Sequence, residues 1–196
     1  MSTPQTIAGP DGVIELMEGG EAESRRGIVV CHPHPLYGGN MFDSVLDDVC
    51  SGAHRVGLAS VRFNFRGVGG SEGDHDQGNG ELEDLMAVKA WMGERIDSVC
   101  IAGYSFGAGV ASRCPDPVAK VLIAPPVAML ADDLGTAPIL IVAGEQDTLV
   151  PLSDLEARLE PLANVTLSII AGADHFFGSS RTTLKDEVTD FLVRYG

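Results

Sequence analysis

The chain has 196 residues, 44% apolar and 21% charged, enough for one globular core without metal or disulfide staples. Its 28 acidic residues outnumber 13 basic ones, leaving a formal charge of −15. A field of that sign repels phosphate backbones and anionic lipid, so neither nucleic acid nor a membrane is an expected partner.

One domain over residues 1–196 is expected, since no repeat, low-complexity tract or linker interrupts the sequence. The first ten residues lack the basic and apolar regions of a signal peptide, and no run of roughly 18 apolar residues follows. Cys31, Cys50, Cys100 and Cys114 form no CxxC pair and read as free thiols in a reducing compartment. The expected location is cytoplasmic.

In chain order, residues 13–17 read as an antiparallel edge strand. The Val- and Ile-rich run 27–31 reads as a strand apolar on both faces, and His32-Pro-His34-Pro follows it. Phe42, Val45, Leu46, Val49, Cys50 and Ala53 form one helical stripe. Run 58–63 is the next strand, and a glycine-rich loop through Arg66 comes after it. There Arg66 is expected to pair with a carboxylate or a carbonyl and so hold the loop, because a buried arginine is usually paired. Residues 74–80 read as a solvated polar loop. Leu82, Leu85, Met86 and Ala90 mark a second helix, with Glu81, Glu83 and Asp84 in its first turn, where the dipole favours acids.

Strand 98–102 runs into Gly103-Tyr104-Ser105-Phe106-Gly107, followed by helix-compatible residues. Strand 118–124 ends at Pro125-Pro126, and the roughly ten residues to Thr136 are too few for a large lid. Strand 139–143 leads to Gly144-Glu145-Gln146-Asp147, with Gly144 read as permitting a sharp exit. Ser153 and Glu156 have capping-box spacing before Leu155 and Leu159. Strand 165–170 leads to His175, and Leu184, Val188, Phe191 and Leu192 mark a closing helix. Short apolar runs alternating with amphipathic stretches predict an α/β fold: a three-layer sandwich, six to eight mostly parallel strands and helices on both faces.

A serine at a tight strand-to-helix turn is lifted out at the carboxyl edge of the sheet. A side chain at 103 or 107 would collide with neighbouring backbone, and the Phe106 N–H is aimed at any oxygen bound there. Serine needs a base, and the base an orienting acid. His175 is the one histidine downstream of Ser105. Asp147 is the first choice of acid and Glu145 the second; Asp174, adjoining His175, is disfavoured because sequence neighbours rarely face each other. Ser105, Asp147 and His175 thus come from three strand ends.

Gly-Tyr-Ser-Phe-Gly at 103–107, Gly-Glu-Gln-Asp-Thr-Leu-Val-Pro at 144–151 and Gly-Ala-Asp-His-Phe-Phe at 172–177 together resemble the α/β-hydrolase superfamily. His-Pro-His-Pro-Leu-Tyr-Gly-Gly-Asn at 32–40 and Arg-Phe-Asn-Phe-Arg-Gly-Val-Gly-Gly-Ser at 62–71 resemble a subgroup of small, cap-less bacterial hydrolases related to dienelactone hydrolases. The resemblance covers the chain from about residue 27 to its end. It implies the α/β-hydrolase sandwich, the Ser105–His175–Asp147 triad and a carboxylic ester or thioester substrate.

In this fold the loop after the early strand supplies a second oxyanion donor. Prolines 33 and 35 have no N–H, so His34, Leu36 and Tyr37 are the local donors and His34 the first choice. Tyr37, Tyr104, Phe106 and Phe176 are expected site walls. The expected partner is a small-molecule ester, on a monomer or homodimer. His32 and His34, at i and i+2, invite a metal reading, but a third ligand is missing; no metal and no cofactor are expected. Amide or peptide cleavage by the same residues, and a catalytically silent binding protein on this fold, are the competing readings.

Overall fold

The Val- and Ile-rich runs form the strands of one sheet, and the amphipathic stretches between them form its helices. The computed structural model describes residues 3–160 and 162–196. Its elements are β1 (Gln5–Gly9), β2 (Gly12–Gly19), β3 (Arg26–Cys31), α1 (Ser44–Arg55), β4 (Ala59–Phe63), α2 (Asn79–Gly93) and β5 (Ser98–Tyr104). There follow α3 (Phe106–Ser112), β6 (Lys120–Ile123), β7 (Ile139–Gly144), α4 (Leu152–Leu159), β8 (Val165–Ile170) and α5 (Arg181–Tyr195). The strand order is β1-β2-β4-β3-β5-β6-β7-β8. β1, β2 and β4 pair antiparallel, and the other neighbours are parallel.

Side chains alternate across the sheet with the period of two that a pleated strand imposes. Val29 and Cys31 of β3 join one apolar cluster with residues of α2, α3 and α4. Ile28 and Val30 join the other, built with α1 and α5. Both faces are therefore covered, which is why the strands read as continuous apolar runs. The four cysteines are free and buried within these clusters. Between β6 and β7 the chain makes one short helical turn, Val127–Met129, and no lid.

Several expectations need correction. β2 is antiparallel but does not form the sheet's edge: β1, too polar to read as a strand, pairs along it from Gln5–Leu16 to Gly9–Gly12. β8 is not apolar on both faces; it closes the opposite edge half exposed, with Ile169 turned partly to solvent. Phe42 precedes the α1 N-cap, Asp43, and is exposed, whereas the rest of its predicted stripe is buried. In α2, Met86 and Ala90 face outward and the buried face is Glu81, Asp84, Leu85, Val88 and Met92. The helix is rotated because two carboxylates have work to do inside. Ser153 caps nothing: α4 already begins at Leu152 behind Pro151, although Leu155 and Leu159 are buried as expected. All four marked residues of α5 are buried.

Asp84 explains the rotation of α2. Its carboxylate accepts the Arg66 backbone N–H at 3.0 Å, Nε at 3.1 Å and Nη2 at 2.9 Å, with both side chains almost wholly buried. This fixes the glycine-rich loop after β4, as expected of Arg66. Breaking a buried pair is costly, but Glu83, 3.4 Å from Arg66, keeps part of the guanidinium's compensation. Asp84→Ala is therefore expected to lower stability by about 3 kcal/mol, the low end for such a loss, in urea unfolding. Arg25→Ala, which breaks an ion pair to Asp97 in full solvent, is expected to leave the same midpoint unmoved.

Candidate active site

β5 ends at Tyr104 and α3 begins at Phe106, which leaves Ser105 alone to make the turn. It does so at φ 52° and ψ −119°, a region that a side chain strongly disfavours. The strain is held from both sides. Ser105 N–H donates to the Ile123 carbonyl on β6 at 2.8 Å, and its own carbonyl accepts from Ala108 and Gly109. A Cβ at Gly103 would lie 2.2 Å from the Gly107 oxygen, and one at Gly107 would lie 2.4 Å from the His32 oxygen. The expected collisions are real, and they reveal that α3 is seated directly against the end of β3.

Two loops bring polar groups to this turn. Asp147 lies past β7 and His175 past β8, and backbone bonds join them: Glu145 N–H to Ile170 O, and Gln146 N–H to Ala173 O. His175 Nε2 lies 3.0 Å from Ser105 Oγ, and its Nδ1 lies 2.7 Å from Asp147 Oδ2. Asp147 and His175 are both buried. The second Asp147 oxygen accepts the N–H groups of Leu149 and Val150, which fixes the carboxylate's orientation. With Nδ1–H directed at a carboxylate, the Nε2 lone pair is left for the serine proton.

The competing acids are engaged elsewhere. Glu145 accepts from Gly172 N–H, and Asp174 accepts from Phe176 and Phe177 N–H. Gly144 is required for a reason other than the expected sharp exit. A Cβ there would lie 2.5 Å from the Ala173 oxygen, so this glycine lets the two loops touch.

On the other side of Ser105 sits the loop after β3. Leu36 N–H is taken by His34 Nδ1 and Tyr37 N–H by the His34 carbonyl. Among the described residues no acceptor takes the N–H of His34 or of Phe106. A cleft of about 320 Å³ over Ser105 is lined by Pro33, His34, Tyr37, Asp43, Tyr104, Leu149, His175 and Phe176, among others. Tyr37 and Phe176 are exposed rims of it; Tyr104 is buried below, its hydroxyl donating to the His175 carbonyl at 3.0 Å. Phe106 is not a wall. Its ring is buried against Phe65, His34 and His75.

No family model matches the chain. The uncharacterized protein RP471 of Rickettsia prowazekii is 34% identical over 205 residues, spanning 94% of this chain and 86% of that protein. An alpha-beta serine hydrolase homologue from Coxiella burnetii is 35% identical with a TM-score of 0.89, covering 98% of both chains. XC6422 of Xanthomonas campestris, an α/β serine hydrolase without a lid, is 30% identical with a TM-score of 0.90, over 99% of this chain and 94% of that one. This chain belongs to the lidless α/β serine hydrolases.

The hydrolase also contains residues that the sequence did not flag. Phe177 adopts φ 55° and is fully buried, anchoring the His175 loop in the core. A bulky residue in that conformation gives no local signal, because the strain is compensated by burial. Glu81 is fully buried and accepts from Gly78 and Asp76 N–H, and His75 Nδ1 lies 2.6 Å from it. His75 is therefore not the solvated loop residue that its polar neighbours suggest. Among the described residues no cluster of three or more His, Cys, Asp or Glu is placed to hold a metal, and no helix is long and apolar enough to cross a membrane.

His32 and His34 occupy different surroundings. His32 is wholly buried; its Nε2 accepts the Phe65 N–H at 3.0 Å, so Nδ1 carries the proton and donates to the Pro33 carbonyl at 2.6 Å. Burial lowers its pKa from 6.5 to about 4. Between those values the unfolded chain binds a proton that the native chain refuses. Stability is then complete above pH 6.5 and falls as pH drops toward 4, by about 3 kcal/mol from this group. Urea midpoints measured across that window should show the slope, and His32→Gln should lose this share of it.

Proposed function

We propose that this hydrolase cleaves carboxylic esters of small substrates by a two-step acyl transfer at Ser105. The observation that carries the reading is the continuous chain from Ser105 Oγ to His175 Nε2, at 3.0 Å, and from His175 Nδ1 to Asp147 Oδ2, at 2.7 Å. In this reading Ser105 Oγ attacks the carbonyl carbon while His175 takes its proton. The charge that develops on the carbonyl oxygen is stabilised by the N–H groups of Phe106 and His34, neither of which has an acceptor among the described residues. Collapse expels the alcohol, protonated by His175. Water then attacks the acyl-enzyme, with His175 as base, and frees the acid and the serine.

Each residue type suits its role. Asp147 keeps the proton on Nδ1 and stabilises the imidazolium as it forms, while remaining ionised itself. The donors are fixed in advance by the turn, so no reorganisation accompanies charge development. The open cleft leaves a small ester or thioester free to enter. Tyr37, Tyr104 and Phe176 supply the apolar walls against which the substrate lies.

Two measurements test the assignment. A fluorophosphonate should add one phosphonyl group to the intact protein, and Ser105→Ala should abolish both the adduct and ester turnover. An unmodified, folded wild-type protein would remove the basis for the proposal. Asp147→Asn should keep the unfolding midpoint near that of wild type and lower kcat about ten-thousandfold, as loss of the correct imidazole tautomer does.

A further inference from the structure

We propose that the Ser105 cleft selects its ester by charge, preferring cationic over uncharged and uncharged over carboxylate-bearing substrates, with Asp43 as the specificity-determining residue. The inference rests on the hydrolase reading above and adds a substrate class to it. Asp43 lines the same cleft as Ser105. One of its oxygens accepts the Val45 N–H at 2.8 Å as the N-cap of α1. Among the described residues its other oxygen has no donor.

The remaining groups around the cleft do not offset this carboxylate. No lysine or arginine lines it. Arg181, whose field reaches Asp43, is committed to the Asp48 carboxylate and the Ser44 carbonyl. His34 holds its proton on Nε2, because Nδ1 accepts from Leu36 N–H. Burial and the neighbouring His75 lower its pKa, against the pull of Glu81, and so disfavour a positive charge on the ring. Burial raises the Asp43 carboxyl from 3.8, and the Val45 N–H and Arg181 oppose that rise.

Two further features point the same way. Tyr37 and Phe176, 87% and 64% exposed, put aromatic rings at the rim, and an aromatic face attracts a cation. The chain's charge of −15 raises the local concentration of cationic substrates and repels anionic ones. A carboxylate-bearing acyl or alcohol group would meet Asp43 with no cation to receive it.

The test compares three acetate esters of one shape: choline acetate, its uncharged tert-butyl isostere and a carboxylate analogue of similar length. A second set places the same three groups on the acyl side. At low salt and mildly alkaline pH, kcat/KM is expected to follow cation, neutral, anion in one set or both. The cation-to-anion ratio should be about tenfold or more for a single fixed charge across a partly solvated cleft. It should shrink in high salt. Asp43→Asn, which retains an N-capping side chain, should bring the ratio toward one. Equal kcat/KM across both sets, or a ratio that Asp43→Asn leaves in place, overturns the inference while the neutral ester is still hydrolysed. No turnover of any ester, together with no fluorophosphonate adduct, overturns the hydrolase reading as well.

Discussion

The close seating of α3 on the carboxyl end of β3 is the contact on which the rest of the site depends. It requires that positions 103 and 107 carry no side chain, since a Cβ at either would stand within 2.4 Å of backbone oxygen. That one contact has three effects. It forces Ser105 into its disfavoured conformation, points the first N–H of α3 into the cleft, and brings the His32–Tyr37 loop alongside. The energy that compensates the strain comes from the centre of the sheet, where β5 lies between β3 and β6 with both faces buried. A strained turn survives only where its surroundings leave no alternative.

The prolines of the β3 loop act on the same geometry. Pro33 and Pro35 remove two N–H groups, and bonds to His34 occupy those of Leu36, Tyr37 and Gly39. Among the described residues His34 N–H in this loop and Phe106 N–H in α3 are left without an acceptor. His32 supports the arrangement from beneath, bridging the Pro33 carbonyl and the Phe65 N–H as a neutral ring. A charged ring there would lose its acceptor role toward Phe65, so the buried histidine ties the loop's integrity to its own neutrality.

Much of this was legible in the sequence because parallel strands write themselves as Val- and Ile-rich runs, and the polar residues of interest lie just past their ends. Ser105, Asp147 and His175 could be named from that rule, and the structure places their side chains within hydrogen-bonding distance of one another. What could not be read depends on contacts between distant segments. β1 is a strand only because β2 offers it an edge. The inward turn of Asp84 follows from Arg66, which lies outside the helix. Gly144 looked like a turn residue but serves close approach, and Phe177 has no local reason for a positive φ. In Asp74-His75-Asp76 the two aspartates are exposed as the solvated reading expects, whereas His75 turns inward to Glu81, a residue of the next helix.

The sheet is not uniformly buried, and the three polar residues are not equally placed upon it. Ser105 follows the central strand β5, whereas His175 follows β8, the half-exposed edge strand whose β-ladder has a neighbour on one side alone. Local openings in a folded protein have lower free energies where fewer apolar contacts must be broken. Along β8 few such contacts hold the strand, so the loop that carries the imidazole depends on Phe177, buried beneath it, and on its bonds to the Glu145–Gln146 turn. The two halves of the site thus rest on different supports, Ser105 on the middle of the sheet and His175 on its margin.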